Sequence, residues 1–340
     1  MTLELDIVSI GMVTAVGLDA PSACAAMRAR LDGFQETRFL GPGGDWLVGA
    51  PVPLPRNFIG EKRLAHMAAA AILEAIDDHP EARDTAALIL CLAEEDRPGR
   101  LAPDASRLVA RIADLTGLAS PHRTRIVAHG RPSGMVALDQ ARRLLADRTV
   151  PYVMICGVDS YLTTATIGHY LAKRRLLTAK NPNGFIPGEA AAATLCGGAG
   201  SGRLRIQGLG LARETAFIYN GVDLPLRGDG MTQAYRAAFA EGGIGMNRLG
   251  YRIADLIGEQ YWFKQSALAA LRLVRGAHEF QDLWSPAESL GNVGAAAGPL
   301  MVGMAWMAAQ GSYAAGDPVL IEASNDKGAC AAALGRAGAA

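Results

Sequence analysis

The sequence predicts an α/β protein of layered sheets and helices. Three observations carry that reading. Short apolar runs of strand length alternate with longer segments whose apolar residues recur at helical spacing. Half of the residues are hydrophobic but only 6% are aromatic, and glycine is abundant, a composition that favours close packing of helices on sheets. One stretch, Thr124 to Leu145, runs from an apolar strand through a tight turn directly into a helix. A chain of 340 residues buries a large core, as one large domain or two packed halves.

Taken in order, Leu5 to Val13 reads as a buried strand, and a helix follows from about Pro21 to Leu31. Asp19 is placed to cap it, and Pro21 suits a first helical turn. Phe34 to Phe58, with Gly41-Pro-Gly-Gly44 and Pro51-Val-Pro-Leu-Pro55, reads as a surface excursion. Leu64 to Ile76 is an Ala-rich helix, and Ala86 to Leu92 is a continuous apolar strand of the kind covered on both faces. Asp104 caps a helix that ends near Leu115. After the Thr124–Leu145 stretch come a strand (Tyr152 to Cys156), a helix (Tyr161 to Leu171) and a turn at Asn181 that leads into a strand ending at Cys196. Gly197-Gly-Ala-Gly-Ser-Gly202 is a low-complexity break, so the halves are expected to be residues 1–200 and 201–340. The second half reads as strand (Leu204 to Leu209), helix (Met231 to Phe239), strand (Arg252 to Ile257) and helix (Glu259 to Val274). A long apolar helix (Gly294 to Ala309) and two strands (Val319 to Ala323, Cys330 to Leu334) complete it.

The rest of the chain is organised around the strand–turn–helix elbow. Ile126, Val127 and Ala128 form the strand, and Gly130-Arg-Pro-Ser-Gly134 the turn. Met135, Leu138, Ala141, Leu144 and Leu145 make the apolar helix face. Such an elbow exposes one side chain at its apex and aims backbone N–H groups at whatever binds there. Folds that attack carbonyl carbons place a nucleophile at that point. Here the apex is Arg131, which is permanently protonated and cannot be one.

Composition excludes several function classes. Lys plus Arg equals Asp plus Glu at 33 each, so nothing electrostatic argues for nucleic acid or an anionic membrane surface. The five cysteines stand singly, and Cys91, Cys156 and Cys196 lie in apolar runs, which makes them buried reduced thiols. No metal site or cofactor is expected. Met1-Thr-Leu-Glu-Leu-Asp-Ile-Val8 lacks a basic leader and a long apolar core, so a cytoplasmic protein is expected. Ser289 to Gly316 carries no charge, yet its Gly, Pro, Asn and Gln read better as a buried central helix than as a membrane span.

Four segments then occur in an order and spacing that resemble the β-ketoacyl synthase branch of the thiolase-like superfamily. Ile7-Val-Ser-Ile-Gly-Met-Val-Thr-Ala-Val-Gly17 is similar to its opening strand and turn. Asn183-Gly-Phe-Ile-Pro-Gly-Glu-Ala-Ala-Ala192 is similar to its "DGFVxGEGA" segment. Gly291-Asn-Val-Gly-Ala-Ala-Ala-Gly298 is similar to its "GHxxGAxG" turn, and Asn325-Asp-Lys-Gly-Ala-Cys-Ala-Ala-Ala-Leu334 stands where its closing hairpin would be. The resemblance covers nearly the whole chain. It implies a thiolase-like α-β-α-β-α five-layer sandwich of two similar halves, assembled as a homodimer. It also implies an acyl carrier protein or an acyl thioester as partner, and it places strand Tyr152 to Cys156 at the dimer edge.

The chemistry implied by the resemblance needs a Cys at the elbow and two His, or a His and an Asn, to steer decarboxylation and stabilise an oxyanion. Matching the motifs puts Arg131 on the Cys, Ile257 on the first His and Asn292 on the second, where Asn is also a normal oxyanion donor. Ser133 and Gly134 match. Losing the nucleophile and the first imidazole together is expected to abolish condensation by the family mechanism.

Other residues invite attention. His129 lies two before the apex and reads as a structural histidine. Glu189 matches a family glutamate that orients backbone. Lys327 and Gly328 belong to the remade closing hairpin and are counted with the pocket. Cys156 and Cys330 are alternative thiols, and one of Glu94, Glu95 and Asp96 is a candidate partner for Arg131. Three readings follow: a degenerate synthase-like partner subunit that keeps an acyl- or carrier-protein-related surface; an active 3-oxoacyl synthase or other acyltransferase using non-standard residues; and anion recognition at the elbow. Arg131 either binds an anion beside the helix N-terminus or plugs the pocket through a buried ion pair.

Overall fold

The computed structural model describes residues 4–119 and 123–338; Met1 to Leu3 of the opening segment lie outside them. In chain order the elements are β1 (Leu5–Val13), α1 (Ala20–Arg28), β2 (Gln35–Leu40), β3 (Trp46–Gly49), α2 (Gly60–Ala75), α3 (Ala82–Thr85) and β4 (Ala87–Cys91). Next come α4 (Ala105–Thr116), β5 (Thr124–Val127), α5 (Ser133–Ala146), β6 (Val153–Ser160), α6 (Thr164–Ala172) and β7 (Glu189–Gly197). After Gly197 follow β8 (Leu204–Arg213), α7 (Asp229–Gly242), β9 (Tyr251–Ala254), α8 (Gln260–Leu273), β10 (Asp282–Trp284) and α9 (Ala287–Leu290). The chain closes with α10 (Ala297–Gln310), β11 (Val319–Ser324) and β12 (Ala329–Ala337).

Local chemistry explains the helix starts. The Asp19 carboxylate accepts from the Ser22 N–H at 2.7 Å, and Asp104 accepts from Ser106 and Arg107. Each satisfies N–H groups that the first helical turn leaves orphaned. Gly117, at φ 72°, stops α4 in the left-handed conformation that glycine adopts freely.

The strands run β5-β4-β6-β7-β1 and then β8-β12-β11-β9-β10. Numbered within each run, both have the order 3-2-4-5-1, with the fifth strand antiparallel to its neighbours. The runs meet where β1 pairs antiparallel with β8 over three residue pairs, among them Asp6 with Arg205. The hydrogen-bonded ladder is therefore continuous, while its topology is one five-stranded pattern used twice.

Strand alternation builds the layers. Leu88 and Leu90 of β4 face α2 and α4, whereas Ile89 and Cys91 face the opposite side, toward α5 and α10. In the other run, Ala331 and Ala333 of β12 join that same inner core, and Cys330, Ala332 and Leu334 pack against α7. Helices thus cover both outer faces and fill the middle. Ten of the fourteen residues of α10 are buried, which is why its sequence is apolar all round. Among the described residues, no helix is long and apolar enough to cross a membrane.

Two expectations need correction. The segment Tyr152–Cys156 is not at an edge: β6 lies between β4 and β7, with every residue buried, and the edge of that run is β5. A wholly apolar strand signals the sheet interior; the short β5, with Arg125 and Ile126 exposed, carries the traits of an edge. The Phe34–Phe58 excursion also contains an ordered hairpin, β2 with β3.

Candidate functional site

The elbow forms as its sequence predicts. Gly130, at φ 64°, turns the chain after β5, and the Ser133 N–H returns to the Gly130 carbonyl at 2.9 Å. The Ser133 hydroxyl oxygen accepts from the His129 N–H at 3.0 Å, so Ser133 staples the turn. The His129 carbonyl accepts from the Asn325 amide at 3.0 Å, tying the elbow to the β11–β12 turn. The His129 side chain is exposed and plays no part in this. Gly134 is small for a packing reason: a Cβ there would stand 2.8 Å from the Gly298 Cα at the start of α10.

Arg131 sits at the apex, 2% exposed. One guanidinium nitrogen donates to Asp255 Oδ2 at 3.2 Å, and the other lies 3.6 Å from Asp326 Oδ1. The guanidinium carbon is 3.9 Å above the Trp262 ring centre, a close cation–π contact. Burial by itself would push the Arg131 pKa down; Asp255 and Asp326 outweigh it and hold it above its ordinary value. The side chain stays charged.

Asp326 joins Arg131 to a second cation. Arg175 donates to Asp326 Oδ2 at 2.6 Å and grips Glu259 with two nitrogens, at 2.6 and 2.5 Å. Trp262 Nε1 donates to the same Glu259 at 2.9 Å, which fixes the indole beneath Arg131. Despite burial, the two guanidiniums hold the Asp326 carboxyl below its usual range. On the other side of the site, Arg97 and Asp159 form a bidentate pair at 2.7 and 2.5 Å, under the Tyr161 ring. Asp159 also accepts from the Ala295 N–H at 3.0 Å. The elbow is walled by paired charges.

The other candidates take structural places. Ile257 is 2% exposed, in an apolar cluster with Trp262, Phe185 and Tyr161. The Asn292 side-chain oxygen accepts from the Gly294 N–H at 3.1 Å, and its backbone pairs with the Ile186–Gly188 segment. Glu189 accepts from the Val52 N–H, from the Arg63 guanidinium and from the Ser160 hydroxyl, locking three segments together. Lys327 is paired with Asp96 at the surface, and Gly328 (φ 86°) turns the hairpin while its carbonyl accepts from the Glu214 N–H. The structure sets Arg131 over the Trp262 indole and Ile257 in the apolar cluster that contains this indole; it leaves Lys327 and the His129 side chain exposed.

Both alternative thiols are free and buried. Burial pushes Cys156 and Cys330 up to about 12, which keeps them protonated. Among the described residues, no group of three His, Cys, Asp or Glu is placed to hold a metal ion.

The partners of Arg131 differ from those expected. Asp255 and Asp326 hold it, not the Glu94–Asp96 run. Glu94 instead packs against Gly130, where a glycine Cβ would lie within 3 Å of its carboxylate, and burial holds its carboxyl above the ordinary value. Asp255, Glu259 and Trp262 were hidden in what reads as an apolar strand and the helix after it. The signal that marks Asp255 is a charge set inside an apolar run, Ala254-Asp-Leu-Ile257.

No family model matches the chain, and no curated protein matches it either. Solved structures do. The ishigamide ketosynthase/chain length factor superposes with a TM-score of 0.79 at 16% identity, covering 100% of both chains. An acyl-carrier protein of a type II polyketide synthase in complex with its hexaketide-bound ketosynthase gives 0.81 at 14%, again over 100% of both chains. A ketosynthase in complex with its chain length factor from Xenorhabdus doucetiae gives 0.76 at 14%, covering 98% of each. At such identities the likeness is one of fold. The chain has the thiolase-like α/β architecture of these structures, a mixed sheet flanked by helices.

Proposed function

We propose that the chain is a non-condensing subunit of ketosynthase fold, made of two like halves, 1–200 and 201–340, that works beside a like-folded partner in fatty-acid or polyketide synthesis. The observation that carries this reading is Arg131. The apex where a nucleophile would stand is filled by a buried, permanently charged side chain held between Asp255 and Asp326. A guanidinium forms no acyl ester or thioester, and displacing it leaves the buried Asp255 carboxylate without its partner. The role left is assembly. Edge strand β5, with Ile126 40% exposed, offers a pairing edge to a second chain, either another copy or an acyl-condensing ketosynthase that receives an acyl carrier protein. Two of the superposing structures named above are described as a ketosynthase together with a chain length factor, which supports a paired assembly.

A second reading is an active 3-oxoacyl synthase or other acyltransferase that uses non-standard residues. The comparisons favour it more directly than the first, since each of those structures is described as containing a ketosynthase. One experiment separates the two. After incubation with acyl-carrier-protein and acyl-CoA thioesters, the intact mass is expected to remain that of the unmodified 35.6 kDa chain, with no condensation product released. A stoichiometric acyl adduct, or turnover of malonyl and acyl thioesters by the isolated protein, would overturn the first reading and establish the second.

A further inference from the structure

Away from the elbow, α1, β10 and α10 enclose a cavity of about 350 Å3. That volume is at the lower end of the range for small-molecule sites. Met304, Cys24 and Ser289 are its buried residues, at 7%, 5% and 4% exposure, and Met27 lies beside them. Trp284 and Tyr313, stacked 26° from parallel with centres 6.4 Å apart, supply the aromatic part of the lining. Two guanidiniums line the mouth.

Among the described residues, neither cation has an ion-pair partner: no carboxylate lies within 4.0 Å of Arg28 or Arg30, and Arg28 has only the Tyr313 ring, 4.3 Å from its guanidinium carbon. Lying over a ring face, a guanidinium keeps the N–H groups of its edge free for a planar anion. Arg30 is brought to the cavity by a left-handed residue conformation (φ 56°) just after α1, with its N–H bonded to the Met27 carbonyl at 3.0 Å. L side chains adopt that conformation sparingly. Glu288 also lines the mouth, so two cations stand against one anion, and Ser285 and Ser289 add polar groups.

We propose that this cavity binds a small organic anion, a carboxylate or a phosphate carried on a flat apolar body. The head sits between Arg28 and Arg30, and the body lies along Trp284 and Tyr313 above Met304. It is a binding site, not a reacting one: burial pushes the Cys24 thiol up to about 12, so no thiolate faces the ligand. The site stands apart from the elbow and from strand β5, and so is independent of the pairing proposed above.

Three probes of one shape test it: 2-naphthoate, 2-naphthyl phosphate and the neutral 2-naphthamide, titrated into the intact protein by calorimetry and by tryptophan fluorescence. One site per chain is expected for at least one of the anions, with the amide at least about tenfold weaker. The tighter of the two anions identifies the head group. Arg28→Gln and Arg30→Gln, both at exposed positions, are expected to weaken that anion about tenfold each while leaving the melting temperature unchanged. Trp284→Phe is expected to remove the fluorescence response. The proposal is overturned if neither anion saturates a site or if the amide binds as well as the anions. It is equally overturned if the arginine variants bind normally, or if the Trp284→Phe protein responds as before.

Discussion

Replacing Asp255 with Asn probes the charge network at its most buried point. The Arg131 and Asp255 side chains are 2% and 1% exposed, so neither regains water when the other changes. Asp255→Asn leaves Arg131 with Asp326 alone, whose nearest oxygen is 3.6 Å away and whose carboxylate already serves Arg175. At an effective dielectric of about 20, the charge–charge term lost at 3.2 Å is about 5 kcal/mol. An Asn oxygen still accepts from the guanidinium, which returns part of that, so a net loss of about 3 kcal/mol is expected. With an unfolding entropy of about 2 cal/mol/K per residue, this lowers the melting temperature of the 340-residue chain by about 4 °C. Differential scanning calorimetry at fixed protein concentration measures it. The paired replacement Arg131→Met with Asp255→Leu removes both buried charges and is expected to melt at or above the parent. A change below about 1 °C for Asp255→Asn, or a double variant less stable than the single one, would refute the ion-pair plug.

Glu94 supplies a pH test. Burial holds its carboxyl up and Oε2 finds no partner, so the folded chain binds this proton more tightly than the unfolded one. Its stabilising contribution is complete below about pH 4.3 and is lost as the pH rises through the folded value. The melting-temperature advantage of Glu94→Gln is therefore expected to grow between pH 5 and pH 8, and a constant difference would contradict the assignment. Gly134→Ala drives a Cβ to within 2.8 Å of Gly298 Cα and 2.7 Å of Pro299 Cδ, so α5 and α10 must part. Denaturant titration is expected to show a loss of about 1–3 kcal/mol. Ile126→Lys puts a charge on edge strand β5 and is expected to turn a dimer into a 35.6 kDa monomer in sedimentation, without a change in the far-ultraviolet spectrum. Arg131→Cys, alone or with Ile257→His, restores a thiol but leaves Asp255 and Asp326 facing it. The single variant is expected to show no acyl adduct by intact mass and no condensation.

Much of the architecture is local and therefore legible. Asp19 and Asp104 stand immediately before apolar periodic segments and cap them as read. The elbow needs only Gly130 at a positive φ and the Ser133 staple, all within five residues. That residue 131 is an arginine, and so no nucleophile, is a fact of the chain before it folds. What the sequence by itself determined is of this kind: the types and order of most of the long elements, the elbow, and the chemistry absent from its apex, but not the β2–β3 hairpin or the short β10. The tertiary structure decided which groups meet. Asp255 and Asp326 reach Arg131 from 124 and 195 residues along the chain, and the 3-2-4-5-1 order that puts β5 at the edge comes from pairings between distant strands. Helical and strand periodicity report only neighbours a few residues apart, whereas a buried cation takes whichever carboxylate the packed sheets bring within reach. A charge inside an apolar run warns that such a partner exists without saying where it is, because desolvation is settled in space and not along the chain.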